Sequence, residues 1–442
     1  MQLNLKTIRA IITGKLERMI NIWKGKGGTA KPGIVARRIN NNILRELAKK
    51  VNTIIFITGT NGKTTISNLL VSILNESGKK VFSNYEGANL ISGITTTFIR
   101  AAKITGKLDY EYAVIEVDEA TMSKLVKEIN DPSFIIVNNF FRDQLDRYGE
   151  IDVLVQKVAD AIKETNARLV LNGDDPLTVR LNQLSNPKVF FGLSKHAHQF
   201  ELQQITESKY CPSCKRELNY THIHYGQLGY FECKCGFKRP DILYEAVSIN
   251  GQKFTVSTVE YELGIKGIHN IYNALAVISV AKELGISEEC IKKGLRSYKA
   301  INGRMQTISL NGIEHILNLV KNPVGLNISL SEVLETKEPK QVCLYLNDLD
   351  LDGTDISWIW DADLERLCRE DIVGVWCSGT RAYDMALRMK YAGIDDVKIT
   401  IRSSTEETVR LSVEKGIKTY HLPNYTALEP VRKSLTMIRG SY

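Results

Sequence analysis

Hydrophobic and polar positions along this chain follow two periods. From about residue 51 to 200, short runs rich in β-branched residues alternate with stretches of helical spacing. The runs are Thr53–Ile57, Tyr112–Val117, Phe134–Asn138 and Leu169–Leu171. Strands separated by helical crossovers predict a mostly parallel, doubly wound α/β sheet. The texture changes at about 205–240, a stretch rich in Cys, Tyr and His, after which the α/β pattern resumes with a helix over Ile271–Leu284. Beyond about residue 307 a second set of strands, Val342–Leu346, Ile372–Ser378, Val397–Ile401 and Thr419–Leu422, predicts a separate C-terminal α/β domain. There is no internal repeat or low-complexity segment.

The first 50 residues carry a different pattern. Leu5, Ile8, Ile12, Leu16, Met19 and Trp23 recur at steps of three and four, which makes one face of a helix. Lys6, Arg9, Lys15, Arg18 and Lys24 lie beside or opposite that face, and the segment holds 12 Lys/Arg against Glu17 and Glu46. A basic amphipathic helix can rest on an anionic membrane surface. The competing reading packs the same apolar face on the protein's own domain or on a partner. Gly25-Lys-Gly-Gly28 and Lys31-Pro-Gly33 predict a linker near 24–33.

Composition narrows the class. The 442 residues, 43% hydrophobic and 24% charged, suffice for two or three ordinary globular domains. No stretch approaches the roughly 20 apolar residues of a membrane span, and no signal-peptide pattern opens the chain, so a cytoplasmic location is expected. The net charge of +8 is concentrated at the N-terminus. No basic stripe interleaved with aromatics recurs elsewhere, and nucleic acid is not an expected partner.

The strongest candidate chemistry lies at Thr53-Ile-Ile-Phe-Ile-Thr-Gly-Thr-Asn-Gly-Lys-Thr-Thr65. An apolar strand breaks into the loop Gly59, Thr60, Asn61, Gly62, and a helix follows through Lys63, Thr64 and Thr65. Inward backbone N–H groups and a helix N-terminus make a nest for phosphate oxygens. Lys63 can reach the β/γ-phosphates and the Thr64 hydroxyl can hold Mg²⁺, so ATP binding is expected. Glu116 ends the strand Ala113–Val117, where a carboxylate faces the ligand edge of such a sheet and supplies a second Mg²⁺ ligand. The eight cysteines add one metal site. Cys211-Pro-Ser-Cys214 and Cys233-Lys-Cys235 give C-x₂-C, an 18-residue gap and C-x-C. This is the spacing of a structural Cys₄ zinc ribbon.

The loop Gly-Thr-Asn-Gly-Lys-Thr-Thr, with two residues between its glycines, is similar to that of the Mur ligase superfamily. Val137-Asn-Asn-Phe-Phe-Arg-Asp-Gln-Leu-Asp-Arg-Tyr-Gly149, Val170-Leu-Asn-Gly-Asp-Asp-Pro176, Gly267-Ile-His-Asn-Ile-Tyr-Asn-Ala-Leu-Ala276 and Gly303-Arg-Met-Gln306 follow in the order seen in Mur ligases and folylpolyglutamate synthases. This resemblance covers roughly residues 50–310. It implies that Gly59 to Thr65 bind the triphosphate, Glu116 the Mg²⁺, and His269, Asn270 and Asn273 the adenine. Arg304 would approach the nucleotide from the domain junction. The implied reaction moves the γ-phosphate to a carboxylate, and a nitrogen nucleophile then gives an amide.

A zinc ribbon inserted in such an ATPase resembles the MurT family, ligase subunits of lipid II isoglutaminyl synthase. Leu346-Asn-Asp-Leu-Asp-Leu-Asp-Gly-Thr-Asp-Ile-Ser-Trp-Ile-Trp-Asp361 is similar to that family's signature loop. The resemblance implies that Asp355 orients the histidine of a Cys–His pair on a separate class I glutaminase. It implies amidation of the D-glutamate α-carboxylate of lipid II to D-isoglutamine, at the inner membrane face. Trp358 and Trp360 are candidate interface anchors or core residues. Ser378-Gly-Thr-Arg381 and His421-Leu-Pro-Asn-Tyr-Thr426 also resemble the family, and Lys321 stands where other Mur ligases carry a ligand-contacting loop. The implied organisation is a basic helical segment at 1–50, an ATP-binding middle domain at 51–306 with the ribbon at 205–240, and a C-terminal Rossmann-like domain at 307–442 that contacts the glutaminase.

Three features depart from the wall-precursor Mur ligases. About 50 residues precede the phosphate loop, too few for a UDP-binding domain. Asp143-Gln144 replaces their Asp-His, and Gln156-Lys157 is off the spacing of their carbamylated lysine. Asp348, Asp350, Asp352 and Gly353 open like a calcium loop, but Ile359 stands at the twelfth position, which argues against calcium. Two alternatives stay open: a stand-alone amino-acid-adding ligase of folylpolyglutamate type, and an ATP-binding regulatory subunit of the glutaminase.

Overall fold

The computed structural model describes residues 4–24, 29–84, 88–142, 151–197, 208–299 and 305–440. The chain divides into two compact units, residues 1–141 with 150–298, and residues 142–149 with 299–442.

The first unit is built on a nine-stranded sheet in the order β11-β10-β9-β6-β5-β4-β1-β3-β2. Its strands are β1 (Thr53–Thr58), β2 (Val81–Ser83), β3 (Tyr112–Glu116), β4 (Phe134–Val137), β5 (Arg168–Asn172), β6 (Lys188–Leu193), β9 (Tyr244–Asn250), β10 (Lys253–Val256) and β11 (Val259–Glu262). From β2 to β9 every pairing is parallel, and the β9–β10–β11 edge is antiparallel. The parallel strands are near-continuous apolar runs because helices cover both faces of the sheet. β1 lies between β3 and β4, so the winding direction reverses at its C-terminal end. That switch point is where an open α/β sheet leaves a ligand crevice. A hairpin, β7 (Asn219–Tyr225) and β8 (Leu228–Glu232), forms its own small sheet between the two cysteine pairs.

Helices α1 (Leu5–Trp23), α2 (Lys31–Ile39), α3 (Ile43–Ala48), α4 (Lys63–Glu76) and α5 (Ile91–Ala101) belong to the same unit. The expected linker at 24–33 is shorter than its Gly and Pro content suggests: residues 25–28 lie outside the described residues, and Lys31-Pro-Gly33 opens α2. Pro32 fits the first turn because its missing N–H has no partner there in any helix. Gly33 is required for contact rather than flexibility, since a Cβ there would lie 2.0 Å from the Ser92 carbonyl oxygen of α5.

The second unit holds a six-stranded sheet in the order β12-β13-β17-β14-β15-β16. These are β12 (Gln306–Leu310), β13 (Ile313–Leu317), β14 (Lys340–Tyr345), β15 (Ile372–Ser378), β16 (Ile399–Arg402) and β17 (Thr419–Pro423). Only the β12–β13 pair is antiparallel. Its turn, Asn311-Gly312, has φ of 51° and 79°, the left-handed pair that a two-residue hairpin needs.

A buried polar row crosses this sheet. His315 Nδ1 lies 3.1 Å from His421 Nε2, and the Tyr345 hydroxyl lies 2.8 Å from His421 Nδ1. Burial pushes His315 down to about 4 and His421 well below the usual imidazole range. An unfolded chain binds protons at both rings once the pH falls below about 6.5, whereas the folded unit keeps His315 neutral down to about 4 and His421 neutral well below the usual imidazole range. Stability is therefore fully present above the unfolded value and is lost as the pH falls through that window. Thermal denaturation at pH 7 and pH 5 is expected to show a loss on the order of 1 kcal/mol per histidine. The double substitution His315→Leu, His421→Phe should flatten that dependence, and an unchanged slope would remove the two rings as its source.

Candidate nucleotide site and the loops of the C-terminal unit

The crevice at the switch point is lined by the loop between β1 and α4. Gly59 and Gly62 have φ of 118° and 90°, a conformation that side chains strain to adopt. Space excludes a side chain too: a Cβ at Gly59 would meet the Asn139 backbone at 2.8 Å, and one at Gly62 would meet Asn273 Oδ1 at 2.2 Å. The loop is clamped by the segment after β4. Thr60 N donates to the Asn139 carbonyl at 2.9 Å, Asn61 N to Asn139 Oδ1 at 2.9 Å, and Asn138 Nδ2 to the Asn61 carbonyl at 2.9 Å. Phe141 N donates to Thr60 Oγ1 at 2.9 Å, and that hydroxyl donates back to the Phe141 carbonyl.

Gly62 caps α4, so the first N–H groups of a 14-residue helix face the crevice together with its dipole. Lys63 is buried at its first position. Its Nζ donates to the Gly59 carbonyl at 2.6 Å and to Glu119 Oε1 at 2.9 Å. Burial opposes that charge, but Glu119 and then Glu116 outweigh it and hold the ammonium above the ordinary lysine range. Thr64 Oγ1 donates to Glu116 Oε2 at 2.8 Å, and Asn89 Nδ2 approaches the other oxygen at 3.3 Å. The hydroxyl and carboxylate expected to share a cation are thus brought together. Thr65 is buried one residue on.

Of the residues expected at adenine, His269 is half-buried in the first turn of the helix Ile268–Glu283. Asn270 and Asn273 are buried one turn apart. Asn273 Oδ1 accepts from Asn138 Nδ2 at 3.0 Å, its Nδ2 donates to Asn270 Oδ1 at 3.1 Å, and Asn270 Nδ2 donates to the Lys266 carbonyl. Asn273 therefore braces the phosphate loop through Asn138. Arg304 and Asp143-Gln144 lie outside the described residues. Glu119, Asn138, Asn139 and Asp175 received no individual role from the sequence, although three of them stand in polar clusters recognised there. Glu119 follows a strand-end carboxylate by three residues, and that proximity was the available signal.

The four cysteines converge. Cys211 and Cys235 sulfurs lie 3.6 Å apart, Cys214 and Cys233 sulfurs 3.4 Å apart, and all four fall within 4.8 Å of one another. A tetrahedral thiolate shell with Zn–S of about 2.3 Å has sulfur–sulfur edges of about 3.8 Å, so the donor set fits zinc in chemistry and size. The hairpin rising from this cluster ends at Gly226-Gln227. Gln227 Nε2 donates to the Phe140 carbonyl at 2.5 Å and to Asp175 Oδ1 at 3.1 Å. Phe140 stands between Asn139 and Phe141, the two residues that fasten Thr60, so the hairpin tip buttresses the phosphate loop from behind.

In the second unit, three separated segments meet beyond the C-terminal ends of β14, β15 and β17. Asn347 N donates to Asn424 Oδ1, and Asn424 Nδ2 donates to the Asn347 carbonyl at 2.7 Å. Asp352 accepts from the Thr426 N–H at 2.9 Å and from the Thr426 hydroxyl. Asp348 accepts from Thr380 Oγ1 at 2.8 Å and Arg381 Nη1 at 3.2 Å. Asp348 and Asp352 are thus committed to protein donors. Asp355 is half-buried at the outer bend of the same loop, where Ser357 N donates to its Oδ1 at 2.8 Å and holds its carboxyl below the usual range. Trp358 packs against the core of this unit, whereas Trp360 is half exposed against Tyr391.

Residues 57–281 match the family model for the Mur ligase middle domain, and residues 319–428 match that for the MurT ligase C-terminal domain. The fold is shared with a pseudomurein peptide ligase type C from Methanothermus fervidus (TM-score 0.69, 23% identity, 89% of this chain and 81% of that one). It is also shared with MurF ligase from Thermotoga maritima in complex with ADP (TM-score 0.61, 16% identity, 92% and 85%). In sequence the chain is 42% identical, over 96% of its length and 97% of the relative's, to the lipid II isoglutaminyl synthase (glutamine-hydrolyzing) subunit MurT of Staphylococcus aureus (strain COL). It is 37% identical, over 98% of each chain, to the protein of the same name from Streptococcus pneumoniae (strain ATCC BAA-255 / R6). A Mur ligase middle domain followed by a MurT-type C-terminal domain, aligned to such relatives from end to end, places the chain in the MurT family.

Proposed function

We propose that this protein is the ATP-dependent ligase subunit of a glutamine-fed amidotransferase acting on lipid II. The γ-phosphoryl group of ATP passes to an oxygen of the D-glutamate α-carboxylate in the stem peptide, releasing ADP. Ammonia then adds to the acyl carbon, phosphate leaves, and D-isoglutamine remains. The observation that carries this reading is the clamped loop at Gly59–Gly62, which sets Lys63 and Thr64 against the carboxylates Glu119 and Glu116 at the switch point of a Mur-type sheet. The loop Gly59 to Thr65 binds the triphosphate, the N–H groups at the start of α4 facing its oxygens while those of Thr60 and Asn61 hold the clamp. The Lys63 ammonium neutralises charge that develops on the phosphoryl oxygens during transfer. Thr64 and Glu116 hold Mg²⁺, an oxygen-seeking cation that screens the phosphates when bound. His269, Asn270 and Asn273 meet the adenine and Arg304 contributes to nucleotide binding, with Asn273 also bracing Asn138.

The C-terminal domain, residues 307–442, carries the class I glutaminase partner. Asp355, with Ser357 holding it ionised, orients the partner's histidine across the interface. The ribbon cysteines Cys211, Cys214, Cys233 and Cys235 hold a structural zinc that stiffens the hairpin behind Phe140. A lipid-linked substrate places the complex at the inner face of the plasma membrane.

Two substitutions separate the half-reactions. With the glutaminase bound, Lys63→Ala is expected to lower amidated lipid II by at least a hundredfold, with ammonia or with glutamine as donor. Asp355→Ala should abolish glutamine hydrolysis while free ammonia still yields product, measured by mass spectrometry of the stem peptide. If ammonia fails to rescue Asp355→Ala, its assignment to the glutaminase is wrong. For the ribbon, metal analysis of the purified chain should find one zinc per molecule, absent after Cys211→Ser, Cys214→Ser. Gln227→Ala strips a buried carboxylate and a carbonyl of a donor, a loss of about 1–3 kcal/mol. Part of that loss should appear as weaker ATP binding by calorimetry, and unchanged affinity would show that the hairpin does not brace the site.

A further inference from the structure

The N-terminal helix sits on the protein the opposite way round from an ordinary amphipathic helix. Its inward face is mostly small or polar, with Ile11 the one large apolar residue: Thr7, Ala10, Ile11, Gly14 and Asn21 are buried. Gly14 makes the seam, since a Cβ there would already touch Ile99 of α5 at 3.1 Å and Ala36 of α2 at 3.4 Å. The Thr7 hydroxyl accepts from Asn40 Nδ2 at 3.0 Å and donates to Glu46. These contacts fix the rotation of α1 about its own axis. The apolar stripe consequently faces away from the unit, with Leu5, Ile12, Leu16, Met19, Ile20 and Trp23 all exposed, Trp23 by 86%.

A stripe of this size does not stay bare on a protein without a function. Its surroundings identify what covers it. Lys6, Arg9 and Lys24 are exposed on or beside the stripe, and Glu17, the one acidic residue of the helix, is engaged by Lys31 at 2.7 Å. A second copy of the chain docked by this face would bring two basic borders together, which like-charge repulsion disfavours. An anionic lipid surface meets both demands at once: acyl chains take the apolar stripe, and headgroups take the basic border. Trp23 lies at the end of the stripe, and indole rings favour the headgroup level.

We infer that the outward face of α1 is a membrane-docking surface for anionic phospholipid, which holds the ligase flat against the bilayer that carries its substrate. This deepens the lipid II reading, but the contact itself requires only phospholipid. The full-length chain is tested by co-sedimentation with vesicles of mixed phosphatidylglycerol and phosphatidylcholine, free of lipid II, and with vesicles of phosphatidylcholine alone. Binding is expected to the mixed vesicles, to weaken with added salt, and to be lost in Leu16→Glu, Trp23→Glu. Lys6→Gln, Arg9→Gln, Lys24→Gln should weaken it roughly a hundredfold, at about fivefold for each basic side chain near an anionic surface. All five positions face solvent, and an unchanged melting temperature verifies that the variants fold. Three results overturn the inference: no binding of the unaltered chain to phosphatidylglycerol, equal binding by the variants, or a concentration-dependent dimer that Leu16→Glu, Trp23→Glu dissolves while vesicles bind nothing. Amidation of a lipid-free stem peptide, assayed in parallel, reports on the enzymatic reading independently of the vesicles.

Discussion

The loop between β1 and α4 is held by backbone hydrogen bonds to the segment that leaves β4, and the rest of the first unit is arranged around that clamp. A phosphate nest works only if its N–H groups already point at the ligand, because turning peptide units after binding would consume the affinity they provide. Here Asn138 and Asn139 supply both backbone and amide partners to Thr60 and Asn61, and the two glycines leave no room for any other residue. Lys63 and Thr64 follow immediately, so their direction is inherited from the clamp. The functional groups are rigid because the neighbouring strand is rigid.

Behind the clamp stands a second polar centre made by Asn172-Gly-Asp-Asp-Pro176. Asp174 is fully buried and accepts from Arg239 Nε at 2.6 Å, the Tyr272 hydroxyl at 2.6 Å and Leu193 N at 2.7 Å. One carboxylate thereby ties β6, the end of the ribbon insertion and the helix Ile268–Glu283 into one body. Asp175 does the same for the hairpin tip and Phe140, and its burial raises its carboxyl to about 6. Buried carboxylates that gather donors from several segments specify one arrangement, since any alternative strands a charge away from water.

Much of this was legible in the chain because the signals were local. The strands at Thr53, Tyr112, Phe134 and Ile372, the phosphate loop and the cysteine spacing depend on periodicity or on contiguous residues, and a single sequence carries them intact. What escaped depends on contacts between distant segments. Nothing in Gln227 reveals that it reaches Phe140, and nothing in Asn273 reveals that it also accepts from Asn138. The Asn311-Gly312 hairpin was a readable signal, since that dipeptide is the favoured two-residue turn. The N-terminal helix shows the limit most clearly. Its apolar face was found correctly, but periodicity says which residues share a face and is silent on which way that face turns. Here the small residues Ala10 and Gly14 decided the packing, because close approach of helices rewards the absence of side chain.

The meeting of three segments in the C-terminal unit carries a consequence for how this domain can change over evolutionary time. Asn347, Asp348 and Asp352 come from one segment, Thr380 and Arg381 from a second, and Asn424 and Thr426 from a third, and these donors are matched to acceptors on another segment. A chimera that imports only one segment from a distant homologue would inherit half of each pair. Unmatched polar groups at strand ends are costly, so the three pieces should be inherited as a set, and recombination breakpoints between them should be rare.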